Sequence, residues 1–95
     1  MFSRVMHIQS KPGRLAEITS LFQDSVLPAL RRQEGFVSTL LLTDPATGKG
    51  MSITIWQSEE ALKASSSSGF LMEQIRKVAP LLETPPVAEQ LVAHL

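Results

Sequence analysis

The stretch Glu34–Leu62 constrains the fold more than any other part of the chain. It reads Glu34-Gly35-Phe36, an apolar run Val37–Leu42, the turn Asp44-Pro45-Ala46-Thr47-Gly48-Lys49-Gly50, a second run Met51–Trp56, then Gln57-Ser58-Glu59-Glu60-Ala61-Leu62. Two β-prone runs joined by a turn rich in Pro and Gly specify an antiparallel hairpin. Pro45 suits the second position of a type I turn, and Gly48 or Gly50 can take positive φ. Ser58 followed by two glutamates starts a helix: the hydroxyl caps free N–H groups and the acids sit at the positive end of the dipole. Met51, Ile53 and Ile55 alternate with Ser52, Thr54 and Trp56, so one face of the second strand is apolar and the other mixed. Val37–Leu42 is apolar on both sides apart from Ser38 and Thr39, which predicts a strand covered on both faces.

The flanks complete the pattern. Phe2–Gln9 reads as a first strand, stopped by Ser10-Lys11-Pro12-Gly13. Leu15, Ile18, Phe22, Val26 and Leu30 then recur at helical spacing. Pro28 lies inside that helix and cannot donate to the carbonyl of Asp24, which predicts a kink or a loosened last turn. Gly35 supplies the stop. Ser65-Ser66-Ser67-Ser68-Gly69 reads as an interruption between two helical pieces, either a plain break or a mobile lid. Leu71, Ile75, Val78 and Leu82 resume helical spacing over Phe70–Leu82, Thr84-Pro85-Pro86 ends it, and Val87–Leu95 is a last strand.

The order is β-α-β-β-α-β, the split βαβ or ferredoxin-like α+β arrangement, in one domain over residues 1–95. Its sheet is antiparallel with both helices on one face. The other face carries Val, Leu and Ile, and a second copy of the sheet is the natural cover, so a homodimer through the sheet face is expected. Which face of the first strand meets the helices stays open, because Arg4-Met6-Ile8 and Val5-His7-Gln9 are both mixed.

Bulk composition excludes several classes of function. Nine basic residues balance nine acidic ones among 95, so no net field draws in nucleic acid or an anionic membrane. Cysteine is absent, which removes disulfides and thiolate chemistry. The two histidines, His7 and His94, are too few for a zinc site without carboxylate help. Gly48-Lys49-Gly50 is a hairpin turn and not a phosphate loop opening a helix. The N-terminal Met1-Phe2-Ser3-Arg4 lacks the basic-then-apolar order of a secretory leader, and no apolar run approaches the ~20 residues of a spanning helix. A cytoplasmic protein is the expectation.

Lys11-Pro12-Gly13 before the first helix, Gln33-Glu34-Gly35-Phe36 after it, and Ile55-Trp56-Gln57-Ser58-Glu59-Glu60-Ala61-Leu62 across the second hairpin strand resemble the antibiotic biosynthesis monooxygenase family of dimeric α/β barrels. The resemblance spans nearly the whole chain. It implies two sheets closing into a barrel, with a pocket in each monomer between its own sheet and helices. Some members oxidise aromatic polyketides or quinols without a cofactor, others degrade haem, and many have no assigned activity. The haem-degrading branch carries an Asn on the first strand, a Trp in the second helical region and a His shortly after it. Here the corresponding stretches hold Met6 and His7, Ala64 and Ser65, and Gln74 and Ile75, so haem degradation is not implied. The pockets of the antibiotic-type enzymes use Asn, Trp, Tyr and Arg, and this chain has neither Tyr nor Asn.

The resemblance therefore implies a cofactor-independent monooxygenase acting on a small aromatic or quinol-type substrate, with no metal. The alternative is a non-catalytic dimeric module of the same fold that binds a small ligand. A cofactor-free oxygenase must deprotonate its substrate and hold the anion. His7 is the expected base, with Trp56 holding the ring or donating its N–H to an oxyanion. Arg4 and Arg76 are expected to balance an anionic substrate, and Phe70 and Met72 to line the pocket. Each has a plainer role too: His7 at a solvent-facing strand end, Trp56 as a core anchor, the arginines solvated and Met72 as filler.

Overall fold

The computed structural model describes residues 1–95. Four strands, β1 (Phe2–Gln9), β2 (Phe36–Asp44), β3 (Lys49–Trp56) and β4 (Val87–Val92), form one antiparallel sheet in the order β2-β3-β1-β4. Between β1 and β2 lie α1 (Leu15–Leu21), a π-helical turn (Phe22–Val26) and α2 (Leu27–Arg31). Between β3 and β4 lie α3 (Glu59–Ser67), α4 (Phe70–Val78) and a 3₁₀ turn (Ala79–Leu81). This is the ferredoxin-like α+β order expected. No helix is long and apolar enough to cross a membrane.

The local chemistry accounts for most boundaries. Ser58 caps α3 by accepting from the Ala61 N–H at 3.1 Å. The hairpin turn is held by Asp44, whose carboxylate accepts from the Ala46 N–H and the Thr47 hydroxyl, and Gly48 takes φ 77°. Gly35 ends the first helical segment at φ 79°, and a Cβ there would stand 2.4 Å from the Ala61 Cβ, so only glycine lets this turn approach α3.

Two expectations are corrected and one is met. Pro28 loosens the helix: the turn before it widens, with the Leu27 N–H reaching back to the Phe22 carbonyl, and the helix continues to Arg31. A π-turn absorbs the donor that proline lacks without breaking the rod. The serine run is not an interruption, because α3 runs through Ser67 and only Ser68-Gly69 breaks it, Gly69 at φ 87°. The hairpin strands start earlier or end later than their apolar runs, and β2 carries a bulge at Val37.

Register decides the faces. Phe2, Arg4, Met6 and Ile8 share one side with Trp56, Thr54, Ser52 and Gly50 of β3 and with Thr39 and Leu41 of β2. The helices pack on this side, and the main core forms there from Val26, Leu30, Trp56 and Leu62, flanked by Phe2, Phe22, Phe36 and Phe70. The opposite side carries Val5, His7, Met51, Ile53, Ile55, Leu40, Leu42, Val87 and Leu91. No element of the chain covers it: Leu40, Val87 and Leu91 are each more than half exposed, and the sheet of a single chain stays open rather than closing into a barrel.

Candidate functional site

A cavity of about 90 Å³ lies between the helix-side sheet face and the helices. Its floor is Arg4, Met6 and Ile8 of β1 with Ser52 and Thr54 of β3. The apolar stripe of the first helical segment (Ile18, Phe22, Val26, Leu30) forms one wall, and α4 forms the other with Phe70, Leu71, Gln74, Ile75 and Val78. Period-two alternation puts Arg4 here, two residues from Phe2 and Met6 on the same face.

Arg4 is only 3% exposed. Its guanidinium donates through Nη1 to Ser65 Oγ at 2.9 Å, and through Nη2 to the Leu62 carbonyl at 3.1 Å and to Ser66 Oγ. The Ser65 hydroxyl in turn donates a hydrogen bond to the Leu62 carbonyl at 2.6 Å. Every acceptor is neutral. The ion pairs of the chain are His7–Glu89, Arg14–Glu17 and Lys63–Glu59, and none includes Arg4. Burial without a counter-charge pulls its pKa below the usual arginine value, yet a guanidinium stays protonated at neutral pH. The site therefore holds a fixed, uncompensated positive charge beside apolar walls.

Gln74 is the second buried polar group. It sits on the face of α4 shared with Phe70 and Val78, and its Oε1 accepts from Lys77 Nζ at 2.8 Å. That bond turns the carbonyl end toward Lys77 and leaves the amide NH₂ as the free end. Thr54 Oγ1 accepts from the Trp56 indole N–H at 3.0 Å and donates weakly to the Arg4 carbonyl at 3.4 Å.

Of the six residues expected at the site, the structure brings Arg4 and Phe70 together on the cavity. His7 lies on the opposite sheet face, where Nε2 meets Glu89 Oε1 at 3.2 Å in solvent. Odd-numbered positions of β1 face away from the helices, which puts the sheet itself between His7 and the cavity. Trp56 is 1% exposed and stands in the core, edge-on to Phe36 at 5.7 Å, with its N–H spent on Thr54. Arg76 is exposed on α4, and Met72, half exposed, points outward from the same helix. Gln74 and the receptor pair Ser65 and Ser66 were not anticipated. Gln74 was legible as a polar residue four from Phe70 and four from Val78 on an otherwise apolar stripe. The serines had no such mark, since only the fold brings α3 over β1.

Residues 1–77 match the family described as "Antibiotic biosynthesis monooxygenase". The chain belongs to this family. Solved structures agree in fold. A monooxygenase from Streptomyces coelicolor, in complex with nanaomycin D, superposes with a TM-score of 0.82 at 20% identity over 98% of this chain and 87% of that one. SnoaB, a cofactor-independent oxygenase from Streptomyces nogalater, gives 0.81 at 19% identity over 99% and 93%. A Nitrosomonas europaea protein of unknown function gives 0.77 at 21% identity over 99% and 92%. No curated protein sequence is similar enough to count as a relative. This family member shares the architecture of these neighbours.

Proposed function

We propose that the chain is a cofactor-independent monooxygenase-like protein that takes a small hydroxyaromatic or quinol-type substrate into the cavity between sheet and helices. The observation that carries this reading is Arg4, a buried guanidinium on the cavity wall with no carboxylate partner. A buried charge is costly unless something compensates it, and an oxyanion on the ligand supplies the missing charge. The same contact strengthens as negative charge localises on that oxygen. Family membership and the fold shared with a cofactor-independent oxygenase support oxidation as the chemistry.

The reaction balances without an outside reductant. A hydroxyarene with a free para C–H plus O₂ gives a quinone plus water. One oxygen atom bonds to the ring carbon, the other leaves as water with two substrate hydrogens, and the substrate supplies all four electrons. Arg4 takes over the anion-holding role, and Phe70 offers a ring face to the substrate. The test is oxygen uptake with a panel of monocyclic phenols that have an unsubstituted para position, with ¹⁸O₂ to count incorporated atoms. One labelled atom per product is the expected result, and turnover by the His7→Ala variant should match wild type because His7 faces away from the cavity. Binding without oxygen uptake across the panel would leave the second reading, a dimeric small-ligand-binding module. The absence of any carboxylate or imidazole from the cavity lining favours that alternative.

The open sheet face supports a homodimer. Leu40 and Leu42 of β2 and Val87 and Leu91 of β4 stand exposed on this face, on either side of the His7–Glu89 pair. A second copy buries it by an isologous contact. Leu40 is 55% exposed in the single chain, so Leu40→Lys costs the monomer fold little but places two charges in the proposed seam. Light scattering after gel filtration should report a dimer for wild type and a monomer for the variant, with the far-UV spectrum unchanged. A wild-type monomer at micromolar concentration would refute the interface.

A further inference from the structure

We infer that the ligand of this cavity is a monocyclic phenol that enters already ionised, with Arg4 and Gln74 selecting the phenolate. The inference rests on the placement of the substrate in this cavity made above. Three observations carry it. The first is that the buried polar side chains offer donors. A guanidinium has five N–H groups, and three are engaged by Ser65, Leu62 and Ser66, which leaves two. Gln74 turns its carbonyl to Lys77 and keeps its NH₂ free. Ser52 and Thr54 add only hydroxyls.

The second is that Arg4 is the only ionisable group lining the cavity. The charged side chains of the surrounding elements stand outside that lining: Lys63 with Glu59 on α3, Glu73, Arg76 and Lys77 on α4, and His7 with Glu89 across the sheet. A phenol that entered neutral would find no group to take its proton. Arg4, which has no carboxylate partner, favours the anion, and the phenolate that binds it leaves its proton in bulk water. The third is size. About 90 Å³ is less than the roughly 150 Å³ of an apolar cavity that takes up benzene. Even one ring therefore requires the lining side chains to give way, and a fused polycycle exceeds the space by more, so a single ring is the upper limit.

The test uses the intact chain and reads binding rather than turnover. Calorimetric titrations with 4-nitrophenol, the less acidic 4-cyanophenol and neutral nitrobenzene are run from pH 5 to 9 (roughly the range in which such phenols ionise, with Arg4 protonated throughout). Affinity for each phenol should be constant above that phenol's own pKa and fall about tenfold per pH unit below it, so the two midpoints differ by the gap between the phenols. Nitrobenzene should bind weakly and without pH dependence. Arg4→Met should weaken 4-nitrophenolate roughly 10- to 100-fold, the loss of a charge-assisted contact, and leave nitrobenzene unchanged. A common midpoint for both phenols would mean that a protein group titrates, and nitrobenzene binding as tightly as the phenolate would mean that charge is not read; either overturns the inference, and neither measurement needs the variant to fold. Phenolate binding without oxygen uptake would retain the inference and remove the oxygenase reading. Oxygen uptake with pH-independent binding would do the reverse.

Discussion

Trp56→Ala should destabilise the protein by about 3–5 kcal/mol, the usual cost of emptying a large aromatic site in a packed core. Trp56 is 1% exposed and packs with three other elements at once: Val26 and Leu30 of the first helical segment, Leu62 of α3, and Phe36 of β2 across the hairpin. A chain of this length has only about 5–14 kcal/mol in total, so the variant keeps little margin. Thermal unfolding should fall by on the order of 20 °C. Trp56→Phe separates packing from hydrogen bonding. It keeps a ring but removes the N–H held by Thr54 Oγ1, at an expected cost of about 1 kcal/mol. If Trp56→Ala unfolded within a few degrees of wild type, the indole would not be the anchor of this core.

Arg4→Met should cost activity but not stability. The side chains are similar in length, and methionine adapts to an apolar gap. Wild type pays to bury a guanidinium with no counter-charge, and three charge-assisted hydrogen bonds offset that cost. Methionine removes the desolvation cost of an unpaired guanidinium, and the Ser65 hydroxyl keeps its own bond to the Leu62 carbonyl. Chemical denaturation should therefore place the variant within about 1 kcal/mol of wild type or above it, while oxygen-consuming turnover falls by roughly 10²–10³, as when a donor to a developing oxyanion is removed. A stability loss above about 3 kcal/mol would identify Arg4 instead as a tether between β1 and α3. Stable folding with undiminished turnover would remove it from the chemistry.

The candidate site was legible only in part, and the division follows the range of the interactions. Helix faces could be read from spacing: Ile18, Phe22, Val26 and Leu30 form the wall that their three-and-four period predicts. The faces of β1 could not be assigned, because each alternating set mixes apolar and polar side chains and the period alone does not say which set is inside. That one ambiguity governed the expected chemistry. With Arg4, Met6 and Ile8 inward, the arginine enters the cavity and His7 leaves it. Trp56 shows the same limit, since its position was readable but the fate of its N–H depended on Thr54 two residues away on the same face.

Sequence by itself determined the element order, the hairpin, the Ser58 cap and the antiparallel ferredoxin-like class, because turn chemistry, capping and hydrophobic period act within a few residues of one another. Tertiary structure decided what the buried polar residues do. Arg4 meets Ser65 and Ser66 only when α3, some sixty residues later, lies over β1. The same packing made part of the serine run, which reads locally as a helix break, into the receptor of a buried cation. The physical reason is that desolvating a guanidinium is costly enough to demand partners, but nothing in the local sequence says which distant hydroxyls the fold will deliver.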